Sequence, residues 1–513
     1  MVEKRKKLEP SDIYGEYQSG VTYNQSIDLY EKVRKNENFF IGNQWEGVDA
    51  PDLDKPVFNI LKRVCNMFIS QIVSDDITAS ASTFTAKSES ENAMRILGSE
   101  LGRAIEYSCA KQKNRRVLRN ACVDGDGCMY AYFNPSAKTG QAANGLIGAE
   151  VIDNTNVIFA NTASPDVQSQ KYIILALRKK LDEVISEAES NGIRKDEIAR
   201  IKSDSESEID DEREDCVTVL IRFWKQDGNV FCSKSTKDTF IKKPFDTGLR
   251  LYPVAFMNWE SVKNSFHGQA AVTELLPNQI FINKCYAMGM DYVKKMAFPK
   301  LIYDKNRFPN GFSNKIGEAV KIEGGVNDAV ATAFKMPDMS GSVMELVEKT
   351  MMYTKEYMGA SDATLGNIKP DNAAAIIAVQ KASSAPLELI KQTFYQFVED
   401  YIRIFADIMR AYYGVREVDG ADGKTEMFDF STLGNYDMNL EVNIGASAYW
   451  SEVMQVQTAD NLFANGIIKD AELYLESIPD AYIKNKQKII QAVREETKNN
   501  FEANGMQNQP AAR

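Results

Sequence analysis

Residues 277–297 read PNQIFINKCYAMGMDYVKKMA, a pattern that predicts one long helix. Pro277 is favoured at the first position of a helix, because its fixed φ suits the first turn and its missing N–H is not needed there. Phe298-Pro299 ends the pattern. A helix between these limits would be roughly 30 Å long.

A second helix is predicted after a short β-rich segment. Residues 298–337 contain strand-like runs and turn signals at Pro309-Asn310-Gly311 and Gly324-Gly325. The helix then begins with the capping box Ser342-Val343-Met344-Glu345 and ends at Gly359. Its apolar positions follow at helical spacing: Val343, Leu346, Val347 and Met351. We expect the two helices to lie antiparallel, with the β-rich insertion at their tips.

A linker of small and polar residues, GASDATLGNIKPD at 359–371, follows the second helix. Asp371 is a good N-cap, and a helical pattern continues from Asn372 to Tyr413. Pro386 must bend this helix, because proline removes a backbone hydrogen bond and clashes with the preceding turn. The sequence therefore predicts a long, kinked helix after the linker.

The N-terminal half changes from helices to strands. Helical periodicity covers residues 23–45, 57–75 and 91–125. We expect the first of these to be unbroken up to Gly42, with an apolar face through Ile27, Tyr30, Val33 and Phe40. Period-two patterns of β-branched residues then predict strands within 127–135, 148–161, 171–180 and 216–234. The predicted fold class is α+β, mainly helical, in more than one domain.

Charge is spread unevenly along the 513 residues. The net charge is -11, but residues 182–215 contain fourteen acidic and five basic side chains and account for -9 of it. This segment is expected to be a solvated helix and loop, and the rest of the chain is nearly balanced. The overall acidity therefore does not exclude a nucleic-acid partner.

No stretch has the ~18–20 apolar residues of a membrane span, and the first ten residues lack the apolar core of a signal peptide.

Few residues could carry catalytic or metal chemistry. His267 is the single histidine, which excludes HExxH and other multi-histidine zinc sites, and we expect it to cap or pack. The seven cysteines contain no CxxC pair and are expected to be reduced and mostly buried. Asp124-Gly125-Asp126-Gly127 predicts a tight turn before a strand, and GxxxxGK[ST] is absent. The sequence predicts no catalytic residue, no metal site and no cofactor.

The order of these features resembles that of a tailed-bacteriophage portal protein, the head-to-tail connector of the capsid. The resemblance extends from about residue 38 to 450 and rests on an ordered set of segments. These are FFIGNQW, KPVFNILKRVCNMFIS, DGDGCMYAYF, EVIDNTNVIF, YPVAFMNWESVKNSFHGQAAVTELLPNQIFINKCYAMGMDYVKKMAFPKLIYD and GASDATLGN with its long helix.

The resemblance implies a ring, usually of twelve subunits, around a central channel for double-stranded DNA. It implies residues 1–262 as the wing, 263–297 and 338–359 as stem helices, 298–337 as the clip, 360–371 as the tunnel loop, 372–445 as a long kinked helix with wing closure, and 446–513 as a helical crown and flexible tail. The clip would face the terminase motor during packaging and the connector proteins afterwards.

Two groups of residues become candidate DNA or partner contacts on this basis. The tunnel-loop group is Ser361, Asp362, Ala363, Thr364, Leu365, Gly366, Asn367 and Lys369. Its plain, nearly neutral surface suits a sliding polyanion, because strong lysine contacts would add sequence-independent affinity. The basic stem and clip group is Lys284, Lys294, Lys295, Lys300, Lys305 and Arg307, which with Asp291 and Asp304 gives a net charge of +4 over 284–307. These residues are expected to hold DNA or dock an acidic terminase surface, although a solvated helix face remains open.

The expected partners are further copies of this chain, double-stranded DNA, the terminase large subunit, the major capsid and scaffolding proteins, and head-completion or tail connector proteins. The expected location is the portal vertex of the virion, and the host cytoplasm during assembly. Two other readings remain open. One is a non-viral helical scaffold or adaptor, which would need neither a ring nor a loop between helices. The other is an enzyme of an unrecognised class.

Overall fold

The computed structural model describes residues 8–73, 77–83, 88–141, 143–204, 215–297, 301–303, 331–333, 341–357, 387–419, 425–436, 438–444, 449–468, 470–478, 486 and 489. These residues form helices and antiparallel sheets, which is compatible with the predicted α+β class.

The N-terminal part is helical, as predicted, but its helices are shorter than the periodicity indicated. They are α1 (Pro10–Ser26), α2 (Leu29–Ile41), α3 (Ile60–Ile72), α4 (Ser88–Tyr107) and α5 (Ala110–Asp124). Asp28 and Cys109 adopt left-handed backbone angles, with φ of 56° and 52°, and separate α1 from α2 and α4 from α5. The predicted unbroken helix up to Gly42 is therefore wrong, although Gly42 does end α2 with a φ of 103°.

The buried side of α2 agrees in part with the predicted apolar face. Leu29, Asn36, Phe39 and Phe40 are buried, whereas Tyr30 is exposed. Tyr30, Val33 and Phe40 all lie within α2, so the break at Asp28 separates only Ile27 from the rest of the predicted face. Of the predicted face, Phe40 is buried and Ile27 and Val33 are partly buried, so the prediction is wrong only at Tyr30.

The strands predicted from period-two patterns are present. β1 (Ile77–Thr83) precedes α4; then come β2 (Asp126–Asn134), β3 (Leu146–Ile152), β4 (Val157–Phe159), β5 (Tyr172–Lys180), β6 (Cys216–Gln226), β7 (Asn229–Ser235), β8 (Phe240–Asp246) and β9 (Val254–Asn258). Among the described residues, β3-β2-β9 form one antiparallel sheet and β4-β5-β6-β7-β8 form another. The acidic segment contributes the short helices α6 (Leu181–Ser190) and α7 (Lys195–Ile198).

The predicted helix pair follows the sheets as α8 (Ala271–Ala297) and α9 (Gly341–Tyr357), with the short strands β10 (Leu301–Tyr303) and β11 (Ala331–Ala333) between them. α8 begins six residues before Pro277, so the predicted start is wrong and the proline lies inside the helix. An interior proline costs roughly 3 kcal/mol. Burying Val272, Leu275 and Leu276 in the preceding turns stabilises the helix by about 1.5–3 kcal/mol each, which outweighs that cost. At the other helix, Ser342 lies inside α9 rather than at its cap.

The chain then returns to its N-terminal half. α10 (Glu388–Tyr412) leads to β12 (Val415–Asp419), β13 (Thr425–Asp429) and β14 (Met438–Ile444). β14 pairs antiparallel with β1, with Ile77 opposite Ile444 and Thr83 opposite Met438. The last described helices are α11 (Tyr449–Ala464) and α12 (Ala471–Ser477). The predicted kink at Pro386 lies outside the described residues.

α10 is a central element of the hydrophobic core. Phe394, Phe397, Tyr401 and Phe405 follow each other at helical spacing and are fully buried. Tyr401 also accepts a hydrogen bond at its hydroxyl from Asn114 Nδ2 of α5, at 3.1 Å. This helix therefore joins the C-terminal part of the chain to the N-terminal helices and sheets. Of the helices within the described ranges, none has the length and apolar content that crossing a membrane requires.

Candidate functional site

The helix pair α8 and α9 is the part of the described structure on which the predicted channel depends. Asn278 Nδ2 donates to Thr354 Oγ1 at 3.1 Å, and Tyr286 Oη lies 3.9 Å from Met351 Sδ. The contact positions rise along α8 and fall along α9, so the helices are antiparallel as predicted. Beyond their tips, Leu301–Tyr303 (β10) pairs antiparallel with Ala331–Ala333 (β11). A β pair therefore does lie at the end of the helix pair.

The first half of α8 is fixed to the body by a buried polar clamp. Gln279 Oε1 accepts from the backbone N–H groups of Ile60 and Leu61 at 3.1 and 3.3 Å. Its Nε2 donates to Phe58 O at 2.8 Å and to Asn283 Oδ1 at 3.0 Å. Because Ile60 and Leu61 open α3, Gln279 binds two N–H groups that have no partner within the helix, although that of Ile60 also donates to Phe58 O at 2.8 Å.

Asn283 extends the clamp to the loop after α2. Its Nδ2 donates to Gln44 Oε1 at 2.6 Å, and Gln44 Nε2 donates to Phe39 O at 2.9 Å. Gln279, Asn283 and Gln44 are all buried. Buried amides are costly unless they are hydrogen-bonded, so this network fixes where α8 leaves the body.

The second half of α8 is exposed and rich in large apolar side chains. Met288 is 58% exposed and Val293 61%, and Met290 is exposed between them. At 3.6 residues per turn, Met290 and Val293 lie roughly 200° and 140° from Met288 around the helix axis. One neighbouring helix cannot cover all three directions. On α9, Leu346, Met352 and Tyr353 are also exposed, Tyr353 to 58%, so the predicted apolar stripe is buried at Val347 but not at Leu346.

A second buried polar cluster lies just before α8 and is centred on Asp126. Its carboxylate accepts four hydrogen bonds: Asn258 Nδ2 at 2.7 Å and Gly268 N at 2.7 Å on Oδ1, and His267 Nδ1 at 2.6 Å and Asn154 Nδ2 at 3.0 Å on Oδ2. Because a carboxylate can only accept, His267 Nδ1 carries the hydrogen in this pair. His267 Nε2 lies 3.1 Å from Asn24 Oδ1 on α1. The cluster joins α1, β2, the end of β9 and the segment that leads into α8.

The expectation that His267 packs rather than reacts agrees with its surroundings. The ring is 4% exposed, and its centroid lies 3.9 Å from that of Phe266.

The predicted turn is also present, since Gly125 ends α5 and Asp126 begins β2. Gly125 has a φ of 98°, and a Cβ on it would lie 2.6 Å from Gly268 O. Glycine is therefore required for both the conformation and the close approach of these two chain segments.

Asp124 is the acid in this region whose pKa is most clearly displaced. Burial raises the pKa of Asp124 to about 7, and the nearby Glu37, Asp153 and Asp126 act in the same direction. Arg119 partly opposes this effect. Arg119 Nη2 is itself 2.5 Å from Glu37 Oε2, so its charge is shared between two acids.

The basic residues predicted to contact DNA or a partner are only partly within the described ranges. Lys284, Lys294 and Lys295 lie on α8 and are exposed. Lys294 Nζ is 2.6 Å from Asp54 Oδ2, and Lys295 Nζ is 2.6 Å from Asp291 Oδ2. Both pairs are largely solvent-exposed and therefore weak, so a phosphate could compete for these lysines. Lys300, Lys305 and Arg307 lie outside the described residues.

The tunnel-loop group lies wholly outside the described residues, which omit 358–386. The DNA-sliding role assigned to Ser361, Asp362, Ala363, Thr364, Leu365, Gly366, Asn367 and Lys369 therefore stays a prediction. The same applies to the Gly359 helix end and to the clip between 304 and 330.

All seven cysteines are free, and all except Cys109 and Cys216 are buried, as expected. Burial raises the pKa of Cys232 to about 12, which keeps this thiol protonated. Within the described ranges, no group of three or more His, Cys, Asp or Glu side chains is arranged to hold a metal ion.

Sequence reasoning did not identify the two polar networks that orient α8. Gln279 and Asn283 are four residues apart in a largely apolar stretch, which puts them on one side of a helix. This spacing could have predicted that the two amides interact. Asn24 and Asn258 had no such signal, because their partners are far away in the chain.

Comparison of the sequence with protein-family models gives no match, and comparison with curated proteins gives none either.

Proposed function

We propose that this chain is a portal protein: a ring-shaped oligomer at one capsid vertex, through whose channel the terminase packages double-stranded DNA. The same channel later releases the DNA, and the tail or connector proteins attach to the ring. The role requires no covalent chemistry from the chain itself. It places the protein in the virion at the portal vertex, and in the host cytoplasm during assembly.

The observation that carries the proposal is the apolar, exposed second half of α8. Met288, Met290 and Val293 point around the helix, and only part of that surface can be covered by α9. Large exposed apolar surfaces mark interaction sites, and identical subunits in a ring can cover one another's helices. The clamp at Gln279 fixes the other half of α8 to the body, so neighbouring copies would present this surface at a constant angle.

The antiparallel helix pair with a β pair at its tip gives further support, because a stem with a distal clip is the arrangement that the sequence resemblance implies. In a ring, the exposed Lys284, Lys294 and Lys295 would be repeated in every subunit. A repeated ring of positive charge would attract DNA or an acidic surface of the terminase. We assign the major capsid and scaffolding proteins as the remaining partners, on the resemblance alone.

Negative-stain electron microscopy and native mass spectrometry of the purified protein test the proposal. We expect rings with a central hole and about twelve subunits. The double variant M288E/V293E should leave the subunit folded but prevent ring formation, because it introduces charges into the proposed contact. Val262→Glu, an equally drastic change at an exposed apolar residue outside α8 and α9, should leave rings intact.

Rings in M288E/V293E would reject this surface as the subunit contact. A wild-type protein that stays unassembled at high concentration and with its capsid partners present would reject the portal function. That second result would favour the helical scaffold or adaptor, for which no ring is expected.

A further inference from the structure

We propose that a pocket beside α10 binds a phosphate group through three arginines. The arginine pocket has a volume of about 340 Å³ and is lined by Arg250, Arg403, Asp407, Arg410, Met438 and Leu440, among others. It lies where α10 and β14 meet the loop between β8 and β9. Its lining residues belong neither to α8 nor to α9.

Asp407 organises this pocket from its floor. Its side chain is 8% exposed. Oδ2 accepts from the backbone N–H groups of Arg250 and Leu251 at 2.7 and 3.0 Å. Oδ1 accepts from Arg410 Nε and Nη2 at 3.0 and 2.8 Å. Arg410 Nη2 also donates to Gly248 O at 2.7 Å, so its guanidinium is held in one orientation before any ligand arrives.

The positive charge of the pocket is not fully compensated. Arg410 is paired with Asp407, and Arg403 is paired with Glu399 one turn earlier on α10. Arg250 is exposed and has no carboxylate partner within the described part of the chain. Three guanidinium groups therefore face two carboxylates, which leaves one positive charge, on Arg250.

Arg250 and Arg410 converge on the same point. Arg250 Nη2 and Arg410 Cδ lie 3.4 and 3.5 Å from where a Cβ on Gly434 would be. The Arg250 guanidinium therefore lies beside the aliphatic part of Arg410, whose own guanidinium is held by Asp407. Arginine forks match the oxygens of a phosphate group and bind it with two parallel hydrogen bonds. Met438 and Leu440 supply an apolar wall, which strengthens such contacts by excluding water.

The phosphate group could belong to DNA or to a small free phosphate, and the pocket's chemistry is the same for both. Duplex DNA cannot enter a volume of 340 Å³, but a backbone phosphate at the pocket mouth can reach Arg250. The two sources differ in what a charge-removing variant does to DNA affinity.

The test compares the wild type with Arg250→Gln, which keeps the backbone N–H that binds Asp407. The matched control is Arg63→Gln, at an arginine that is also exposed and also without a carboxylate partner in the described part of the chain. Inorganic phosphate is titrated by calorimetry, and a labelled 20-base-pair duplex, a length chosen at about two helical turns, by fluorescence anisotropy at several salt concentrations.

We expect Arg250→Gln, but not Arg63→Gln, to weaken phosphate binding by about tenfold or more. If the source is DNA, duplex affinity also falls and the slope of log affinity against log salt decreases by about 1. If the source is a small free phosphate, duplex affinity is unchanged while phosphate binding is lost. Phosphate and duplex affinities that are both the same in Arg250→Gln and wild type, or no binding of either by the wild type, would overturn the site. These binding measurements do not depend on ring formation, so failure of the phosphate site would not reject the portal proposal, and failure of the portal proposal would not reject the site.

Discussion

His267 Nδ1 lies 2.6 Å from Asp126 Oδ2, although the two residues are 141 positions apart in the chain. Both side chains are buried, and Asp126 accepts three further hydrogen bonds. The pair fixes the segment that leads into α8 against the start of β2. The orientation of the proposed stem therefore depends on a contact formed deep inside the proposed wing.

Replacing Asp126 by asparagine should destabilise the fold strongly. The new amide nitrogen would face donors that now meet a carboxylate oxygen, and His267 would lose its charged partner. Breaking a buried pair in this way costs about 3–5 kcal/mol of the unfolding free energy, measurable by urea denaturation. Asp238→Asn, at an exposed acid, should change it by less than about 0.5 kcal/mol. Equal stability of the two variants would refute the role given to Asp126.

Asp124 should make stability depend on pH. Its pKa is about 7 in the folded protein against an ordinary 3.8, so the folded state binds this proton more tightly than the unfolded state. The unfolding free energy should therefore decrease as pH rises from about 4 to 7, and level off above that. The difference between the two pKa values corresponds to up to ~4 kcal/mol.

Asp124→Asn removes this titration. We expect the variant to be more stable than wild type at about pH 8, with the difference shrinking toward pH 4. Urea denaturation at several pH values measures it. A difference between Asp124→Asn and wild type that stays constant with pH would contradict the raised pKa.

Two glycines of α1 should respond oppositely to alanine. Alanine in a helix normally gains about 1 kcal/mol over glycine. Gly15 has open space at its Cβ position, so Gly15→Ala should stabilise by about that amount. A Cβ on Gly20 would lie 2.4 Å from Ile158 Cγ2, so Gly20→Ala should instead push α1 away from β4 and destabilise. Thermal unfolding of both variants checks the sign, and stabilisation by Gly20→Ala would show that α1 does not pack there.

Gln279→Ala should loosen the junction between α3 and α8. It leaves the N–H of Leu61 without a partner and removes one of the two hydrogen bonds made by the Ile60 N–H and by the Phe58 carbonyl, at a cost of about 1–3 kcal/mol. Hydrogen exchange should accelerate at the amides of Ile60 and Leu61. Gln112→Ala, at an exposed position of α5, should leave those amides protected. Unchanged exchange in Gln279→Ala would show that Gln279 does not hold α8 against the start of α3.

Deleting residues 361–367 tests the predicted tunnel loop. Rings should still assemble, but DNA packaging or retention should be impaired, because the deleted segment is the one expected to lie beside the DNA. Packaging assays with virions that carry the deletion measure this. A deletion of equal length in the acidic segment, residues 205–211, should leave packaging normal. Normal packaging and retention after loss of 361–367 would count against the loop assignment.

Much of the secondary structure could be predicted from the sequence because its causes are local. The alternation in 171–180 and 216–234 gave strands β5 to β7, and glycine at position 42 gave the end of α2. The Asp291–Lys295 ion pair could also be predicted from the sequence, since residues four apart are neighbours on a helix. The net charge of +4 over 284–307 already includes Asp291, whereas the pairing of Lys294 with Asp54 had no such local signal.

The failures have causes that lie elsewhere in the chain. Asp28 and Cys109 adopt left-handed conformations that non-glycine residues rarely take, and each separates two helices that the periodicity had joined. Pro277 lies within a helix because Val272, Leu275 and Leu276 are buried against distant residues. Local propensity could not indicate either outcome.

The sequence by itself determined many of the helices and strands, among them the helix pair and strands β2 to β7, their order, and the scarcity of residues suited to catalysis. Only the tertiary structure decided which polar side chains meet: His267 with Asp126, Gln279 with the start of α3, and Arg250 with the pocket around Asp407. The physical reason is the distance along the chain over which each kind of interaction acts. Backbone conformation is biased by neighbours within a few residues. A buried hydrogen bond instead joins groups tens to hundreds of positions apart, and only the packing of the whole chain brings them together.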